Sequence, residues 1–387
     1  MERAQVVVVA GTRPESVKLA PVVLALRRSG SLYPVVVTTG QHGSMASEAL
    51  AVFGIVADAD LAAAQAGSAL DAVAAAVLGR FGALMRADRP SAVVVQGDTT
   101  SALGAALGAF YHHIPVAHLE AGLRSGDGQA PFPEEIHRRT ITLLADLHFA
   151  PTPAAAQRLV AEGTDPSLVH LTGNTVVDAL QMIRGRQLPY RDGRLAALHA
   201  GGSGPGRRVM LVTAHRRESW GDPLDGVARA VELIARPRPD LIAVVAMHPN
   251  PVVRATFAPL AALQNVLLIE PEPYGSFMRL MERADLILTD SGGIQEEAPS
   301  LGTPVLVLRE VTERTEGIRA GVARMVGTDT GRIVAEAGAL LDDPGALAAM
   351  TQGGDLYGDG HAADRCLAAL AAYLQLPPAD APAATRR

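Results

Sequence analysis

Short apolar runs alternate along the whole chain with longer stretches in which apolar positions recur at helical spacing, the rhythm of βαβ units and parallel sheets. In the first half the pattern predicts buried strands at Gln5–Ala10, Pro34–Thr38, Ala92–Gln96, Pro115–Leu119 and Leu147–Ala150. Between them it predicts helices at Ser16–Ser29, Ala46–Phe53, Leu70–Arg86, Ser101–Tyr111, Glu134–Ala145 and Pro153–Glu162. The second half repeats the alternation, with strands at Arg208–Thr213, Leu241–Met247, Val266–Ile269, Leu286–Thr289 and Pro304–Leu308. Arg184–Arg207, with its Gly201-Gly202-Ser203-Gly204-Pro205-Gly206 run, reads as a flexible, turn-rich separator. The Pro- and Ala-rich stretch 377–387 reads as a disordered tail. The expectation is an α/β fold of two doubly wound domains facing each other across a cleft.

Composition narrows the function classes. With 34 Lys+Arg against 40 Asp+Glu the net charge is −6, which argues against a nucleic-acid partner. Apolar stretches are broken by Arg, Gly or Asp, so no membrane span is expected, and the start runs straight into Val6-Val7-Val8-Val9 without a signal peptide. A cytoplasmic location follows as an expectation. Cys366, the single cysteine, excludes an internal disulfide and a cysteine-based metal site. All but one of the 34 Lys+Arg residues are Arg, so the lone Lys18 marks a position where a compact ammonium is needed and a planar fork will not serve.

Open α/β sheets bind ligands at the carboxyl ends of their strands. Those ends carry the unusual residues: Gly11-Thr12-Arg13-Pro14-Glu15, Gly97-Asp98-Thr99-Thr100 and Glu120-Ala121-Gly122-Leu123-Arg124 in the first half, His215-Arg216-Arg217-Glu218-Ser219 and Asp290-Ser291-Gly292-Gly293 in the second. Ser291-Gly292-Gly293 opens a helix, where free N–H groups suit a phosphate; a tight βα turn has the same composition. Glu297, one turn on, can take ribose hydroxyls. Asp98 and Glu120 end strands that are expected to be neighbours, which suits acid/base work and would crowd two carboxyls. Glu134 in Pro131-Phe132-Pro133-Glu134-Glu135 stands at a helix start, where an acidic residue also serves the dipole. His215 can donate to a diphosphate or act as an acid. No metal-ligand spacing surrounds it, with no second His or Cys nearby in sequence, and neither a dinucleotide fingerprint nor a P-loop appears. No metal and no cofactor are expected.

Taken in order and spacing, these segments resemble the non-hydrolysing UDP-N-acetylglucosamine 2-epimerases, from about Val7 to about His361. The segments carrying the likeness include Gly11–Glu15 with Lys18, Gln41-His42, Gln96–Thr100, His118–Arg124, Pro131–Glu135, Thr172–Asp178, His215–Ser219, Asp290–Gly302 with Thr303-Pro304-Val305, Thr312-Glu313-Arg314 and Gly358-Asp359-Gly360. The resemblance implies a glycosyltransferase-B-like pair of Rossmann-type domains, a homodimer, and a C-terminal helix crossing back to the first domain. The corresponding boundaries are 1–173 with the crossing helix at about 362–374, 174–361 for the UDP-binding domain, and the tail 377–387.

The same resemblance places Arg13, Lys18, Asp98, Glu120, Glu134 and His215 at the reacting centre. It places Ser291, Gly292 and Gly293 on the diphosphate, with Arg314 nearby, Glu297 on the ribose, and Tyr274 and Phe277 beside the uracil. The implied chemistry is interconversion of UDP-GlcNAc and UDP-ManNAc by elimination of UDP across C1–C2, then re-addition with the C2 proton delivered to the other face. Alternatives are a hydrolysing relative that releases free ManNAc, a UDP-sugar glycosyltransferase on the same fold, and an inactive binding module. The last would have lost its carboxylates, which are all present. Gln41 and His42 match an activator site for UDP-GlcNAc in many bacterial members. Departures from the family pattern are His137 and Thr315, where Asn and Pro are usual, Glu48 in place of Gln, and no Arg in Gln65-Ala66-Gly67-Ser68. The last two imply weak or absent activation, because a carboxylate repels a diphosphate and the Arg contact is lost.

Overall fold

Strand β1, Ala4–Ala10, carries Val6-Val7-Val8-Val9 with each side chain at most 1% exposed. Burial on both faces is what a continuous apolar run demands, and it fixes β1 as an inner strand of a parallel sheet. In the computed structural model, which describes residues 3–41, 43–64, 68–200, 207–216 and 219–376, the chain forms two compact units. One comprises residues up to Ile183 together with those from Tyr357 onward; the other is Arg184–Leu356.

The first unit holds β1, β2 (Leu32–Thr38), β3 (Ala59–Asp60), β4 (Ala92–Gln96), β5 (Val116–Leu119), β6 (Leu147–Ala150) and β7 (Val169–Leu171). They form one parallel sheet in the order β3-β2-β1-β4-β5-β6-β7. Its helices are α1 (Arg13–Arg28), α2 (Ser44–Val52), α3 (Leu70–Asp88), α4 (Thr100–Tyr111), α5 (Glu134–Leu144), α6 (Pro153–Ala161) and α7 (Thr175–Ile183), with a return helix at Ala362–Tyr373. Threonine starts three of them: the hydroxyls of Thr12, Thr99 and Thr152 accept from the backbone N–H three residues on, satisfying a donor that the helix cannot.

The second unit is a parallel sheet in the order β10-β9-β8-β11-β12-β13, from β8 (Arg208–Thr213), β9 (Leu241–Ala246), β10 (Val266–Ile269), β11 (Leu286–Thr289), β12 (Val305–Val307) and β13 (Ala323–Met325). Its core packs Met210, Val212, Val245, Leu288 and Leu306 against Val227, Val231 and Ile234 of helix Asp222–Ala235. Both units are therefore doubly wound α/β sheets of Rossmann type. Strand order reverses between β1 and β4 in one and between β8 and β11 in the other, which sets the topological switch points where such sheets bind ligands.

Three expectations shift. The boundary placed at 173/174 falls after Ile183 instead, because α7 packs on α1 and on the return helix, and residues 357–361 likewise belong to the first unit. Arg184–Arg207 is not flexible throughout. Buried Glu272 accepts the backbone N–H groups of Arg191 and Asp192 at 2.9 and 2.8 Å, and the segment continues as a short helical turn. The glycine run 201–206 and the tail 377–387 lie outside the described residues. Finally, β3, β7 and β13 add edge strands that the sequence pattern does not predict. Among the described residues no helix is long and apolar enough to cross a membrane.

Candidate active site

In the first unit the chemistry-bearing residues follow β1, β4 and β5, three consecutive strands of the sheet. Gln96 of β4 pairs with Leu119 of β5, so Asp98 and Glu120 leave adjacent strand ends as expected. Glu120 adopts φ +66, a left-handed backbone that costs a non-glycine residue about 1–3 kcal/mol and that is characteristic of functional turns. Its carboxylate is held on the other side of that cost. Lys18 Nζ on α1 lies 2.6 Å from Oε2, with both side chains almost fully buried, and Gln96 Nε2 donates to the same oxygen. Two residues on, Gly122 has φ +88, and a Cβ there would meet the Ala155 carbonyl oxygen at 2.3 Å. Glycine is obligatory at that point of the turn.

Asp98 is held differently. Arg138 Nε donates to its Oδ2 at 3.0 Å, and the same guanidinium reaches Glu135 at 3.2 Å. The expected crowding of two carboxyls is thus resolved by giving each its own cation. The Asp98 carbonyl accepts from His137 Nδ1 at 2.9 Å, so the histidine that departs from the family pattern serves as a donor to this turn. One residue earlier, the Gly97 carbonyl accepts from His118 Nε2 at 2.8 Å. His118 is sealed in the sheet, and burial pushes its imidazole down to about 3, so it is a neutral donor with a fixed tautomer.

Glu134 opens α5, the dipole-favoured place, and its Oε2 is buried without a hydrogen-bond partner among the described residues. Arg13 is half-buried in the first turn of α1. Two residues on, Glu15 is fully buried and joins two βα turns, accepting from Gly11 N at 3.0 Å and from Thr99 Oγ1 at 2.6 Å. Burial, only partly offset by these donors, pushes its carboxyl up to about 7.

In the second unit His215 follows β8 and Asp290 follows β11, again on paired strands. His215 Nδ1 lies 3.0 Å from Asp290 Oδ1, and the imidazole of His248 stacks on its ring at 5.3 Å between centroids. A second histidine does therefore lie beside His215, brought from the end of β9. Even so, no group of three or more His, Cys, Asp or Glu is placed to hold a metal among the described residues. Ser291-Gly292-Gly293 starts the helix Gly292–Ser300, whose first turn presents N–H groups without intrahelical acceptors. The Arg314 guanidinium lies directly over this turn: a Cβ on Gly292 would sit 2.8 Å from its Cζ. Glu296 and Glu313 hold that guanidinium in place. Glu297 is one turn along the same helix, and Tyr274 and Phe277 are buried on the first turn of helix Tyr274–Arg283.

Of the activator pair, Gln41 Oε1 accepts from Ser101 N and Oγ at 3.2 and 2.6 Å, tying the β2–α2 turn to the start of α4. His42 lies outside the described residues, as do Gln65-Ala66-Gly67 and Arg217-Glu218. Glu48 is exposed on α2 and accepts from Ser44 Oγ at 2.8 Å. Sequence reading missed the holders Arg138, Gln96 and Asp290. Arg138 stands four residues beyond Glu134 and three beyond Glu135, and that helical spacing was the available signal.

Residues 24–371 match the family model for UDP-N-acetylglucosamine 2-epimerase. The UDP-N-acetylglucosamine 2-epimerase of Escherichia coli K12 is 44% identical over 369 residues, covering 95% of this chain and 98% of that one. A crystal structure of UDP-GlcNAc 2-epimerase from Neisseria meningitidis bound to UDP-GlcNAc shares 37% identity at a TM-score of 0.87, covering 93% of this chain and 97% of that one. The spinosyn rhamnosyltransferase SpnG, 20% identical over 94% of this chain and 99% of that one at a TM-score of 0.58, shares the fold alone. On the family match and on near-complete coverage by relatives at this identity, the chain belongs to the UDP-N-acetylglucosamine 2-epimerase family of isomerases.

Proposed function

We propose that the chain interconverts UDP-GlcNAc and UDP-ManNAc without hydrolysis, by elimination of UDP to a 2-acetamidoglucal and re-addition. The observation that carries this reading is the set of carboxylates at adjacent strand ends of the first unit. Asp98 and Glu120 are each anchored by a cation, while Glu134, at the start of α5, has one buried oxygen with no partner among the described residues. Moving a proton off and onto either face of one carbon needs acid/base groups of this kind in different settings. A transferase, which leaves C2 untouched, has no proton to move on and off that carbon.

Elimination breaks the C1–O bond and leaves its electron pair on the diphosphate. In this reading Arg13, His215, Arg314 and the Ser291-Gly292-Gly293 turn stabilise the developing anion. Glu297 takes the ribose hydroxyls, Tyr274 and Phe277 border the uracil, and Lys18 orients Glu120. Support comes from the guanidinium poised over a helix start, since a positive side chain and free N–H groups converge on one small volume. The test is incubation with UDP-GlcNAc in D2O, followed by NMR. Deuterium at C2 of both UDP-sugars is expected. Free ManNAc with accumulating UDP would overturn the non-hydrolysing reading, and sugar transfer only on addition of an acceptor would overturn epimerisation.

A further inference from the structure

We infer that Asp290 is a positioning residue that holds His215 as its Nδ1–H tautomer and leaves Nε2 as the atom that exchanges a proton with the diphosphate, an inference that rests on the role proposed for His215. Asp290 is 1% exposed at the end of β11, and its two oxygens have separate tasks. Oδ2 accepts the backbone N–H groups of His215 and Arg216 at 2.6 and 2.8 Å. With that oxygen committed to two donors, the carboxylate cannot rotate, and Oδ1 is fixed 3.0 Å from Nδ1 of the ring. Among the described residues Oδ1 has no in-line hydrogen-bond donor, and a lone pair on Nδ1 would face a carboxylate oxygen at that distance, so the proton is assigned to Nδ1. The ring is braced from above by His248, whose planes diverge by only 12°. His248 Nδ1 in turn accepts from Asn250 N at 3.2 Å, so this second imidazole keeps its proton on Nε2.

The charged groups around the pair divide the labour. Asp290 and His248 lie against His215, and the charge of Arg254 reaches His248. Burial pushes the Asp290 carboxyl up, yet the neighbouring His215 and the two backbone donors outweigh it and hold Asp290 below the usual range. Burial and the neighbouring His215 charge push His248 down. Among the described residues, Asp290 Oδ1 lies against His215 Nδ1, whereas His248 Nδ1 is taken by the Asn250 N–H. On elimination, protonated Nε2 gives its proton to the phosphate oxygen that takes the C1–O electron pair. On re-addition, that oxygen bonds to C1 and the proton returns to Nε2, so the histidine is unchanged over a cycle.

Asp290→Asn separates this role from simple structure. The two backbone N–H groups demand an oxygen at the Oδ2 position, which forces the amide NH2 to face Nδ1. Nδ1 must then accept, and the proton moves to Nε2. The experiment is ¹⁵N NMR of histidine-labelled full-length protein at alkaline pH, with His215 assigned by loss of its signals in His215→Asn. The Nδ1–H form is expected in the wild type and the Nε2–H form in Asp290→Asn. A wild-type ring already protonated on Nε2 would overturn the inference whatever the activity. In parallel, Asp290→Asn is expected to lower kcat by about 10²-fold or more, as a wrong tautomer does elsewhere, with UDP affinity within threefold. An inverted tautomer with normal kcat also overturns it. If His215→Asn itself turns over normally, the role proposed for His215 fails instead, and the tautomer result still stands as a separate finding.

Discussion

Replacing Lys18 by methionine should strand a buried carboxylate. Lys18 Nζ and Glu120 Oε2 are 2.6 Å apart with side chains 5% and 6% exposed. At an effective dielectric of about 20 their Coulomb attraction is about 6 kcal/mol, most of which offsets the loss of hydration of the two charges. Removing one partner of such a pair typically costs about 3–5 kcal/mol, because the other charge stays buried. Gln96 still donates to Glu120 in the variant, so the lower end, about 3 kcal/mol, is expected. Adding Glu120→Gln removes the stranded charge, and the double variant should be the more stable of the two, with a coupling of about 2 kcal/mol. Urea unfolding followed by far-UV circular dichroism on the wild type, both single variants and the double gives the full cycle. Equal stability of Lys18→Met and the double variant would refute the reasoning, since it would mean that no charge had been stranded. Lys18→Arg sharpens it: a guanidinium is bulkier than an ammonium in a site 4% exposed, and overpacking there should cost about 1–3 kcal/mol. Wild-type stability in that variant would show the single lysine to be an accident of composition.

Asp98→Asn and Glu134→Gln should each lower turnover by about 10²-fold while UDP affinity, measured calorimetrically, stays within threefold; normal turnover would make that carboxylate structural. Glu15, raised by burial to about 7, binds a proton in the folded state that the unfolded chain has already released. Its contribution to stability is therefore full below the ordinary glutamate range and is lost as pH rises through about 7, and Glu15→Gln should flatten that decline in urea midpoints between pH 5 and 8. A slope unchanged in the variant would assign the decline to other groups. Glu48 leaves an exposed carboxylate on α2 where the family pattern has Gln, so the reverse reaction from UDP-ManNAc free of UDP-GlcNAc should start without delay. A lag removed by traces of UDP-GlcNAc would show an intact activator site.

The two sheets were legible because their inner strands are long and apolar. Val6–Val9, Val93–Val95 and Leu286–Leu288 leave no doubt about burial on both faces. The edge strands were not, because Ala59–Asp60 and Val169–Leu171 are too short to establish a period and lean on one neighbour only. Asp98 and Glu120 could be read as neighbours, since consecutive strands with a short helix between them usually pair. Their cations could not. Arg138 is 40 residues from Asp98 and Lys18 is 102 from Glu120, and partners at such distances are chosen by the fold rather than by local spacing. The separator at Arg184–Arg207 illustrates the opposite error. Its polar, turn-rich composition suggests freedom, but a single buried acid, Glu272, gathers two of its N–H groups and a Ser276 hydroxyl.

The first unit is closed by residues from both ends of the chain. Asp178 on α7 accepts the N–H groups of Ala362 and Ala363 at 3.2 and 2.8 Å, and Cys366 and Leu370 of the return helix are buried in the same unit. A ribosome therefore delivers the unit in two instalments. Residues up to Ile183 emerge first and must wait while the contiguous stretch Arg184–Leu356 is made. At about 5–20 residues per second that interval is roughly 9–35 s, during which the surface later covered by the return helix faces solvent or a chaperone. The unit begun first is thus finished last, and a chain released before Ala362 would carry a complete second sheet beside an uncovered first one.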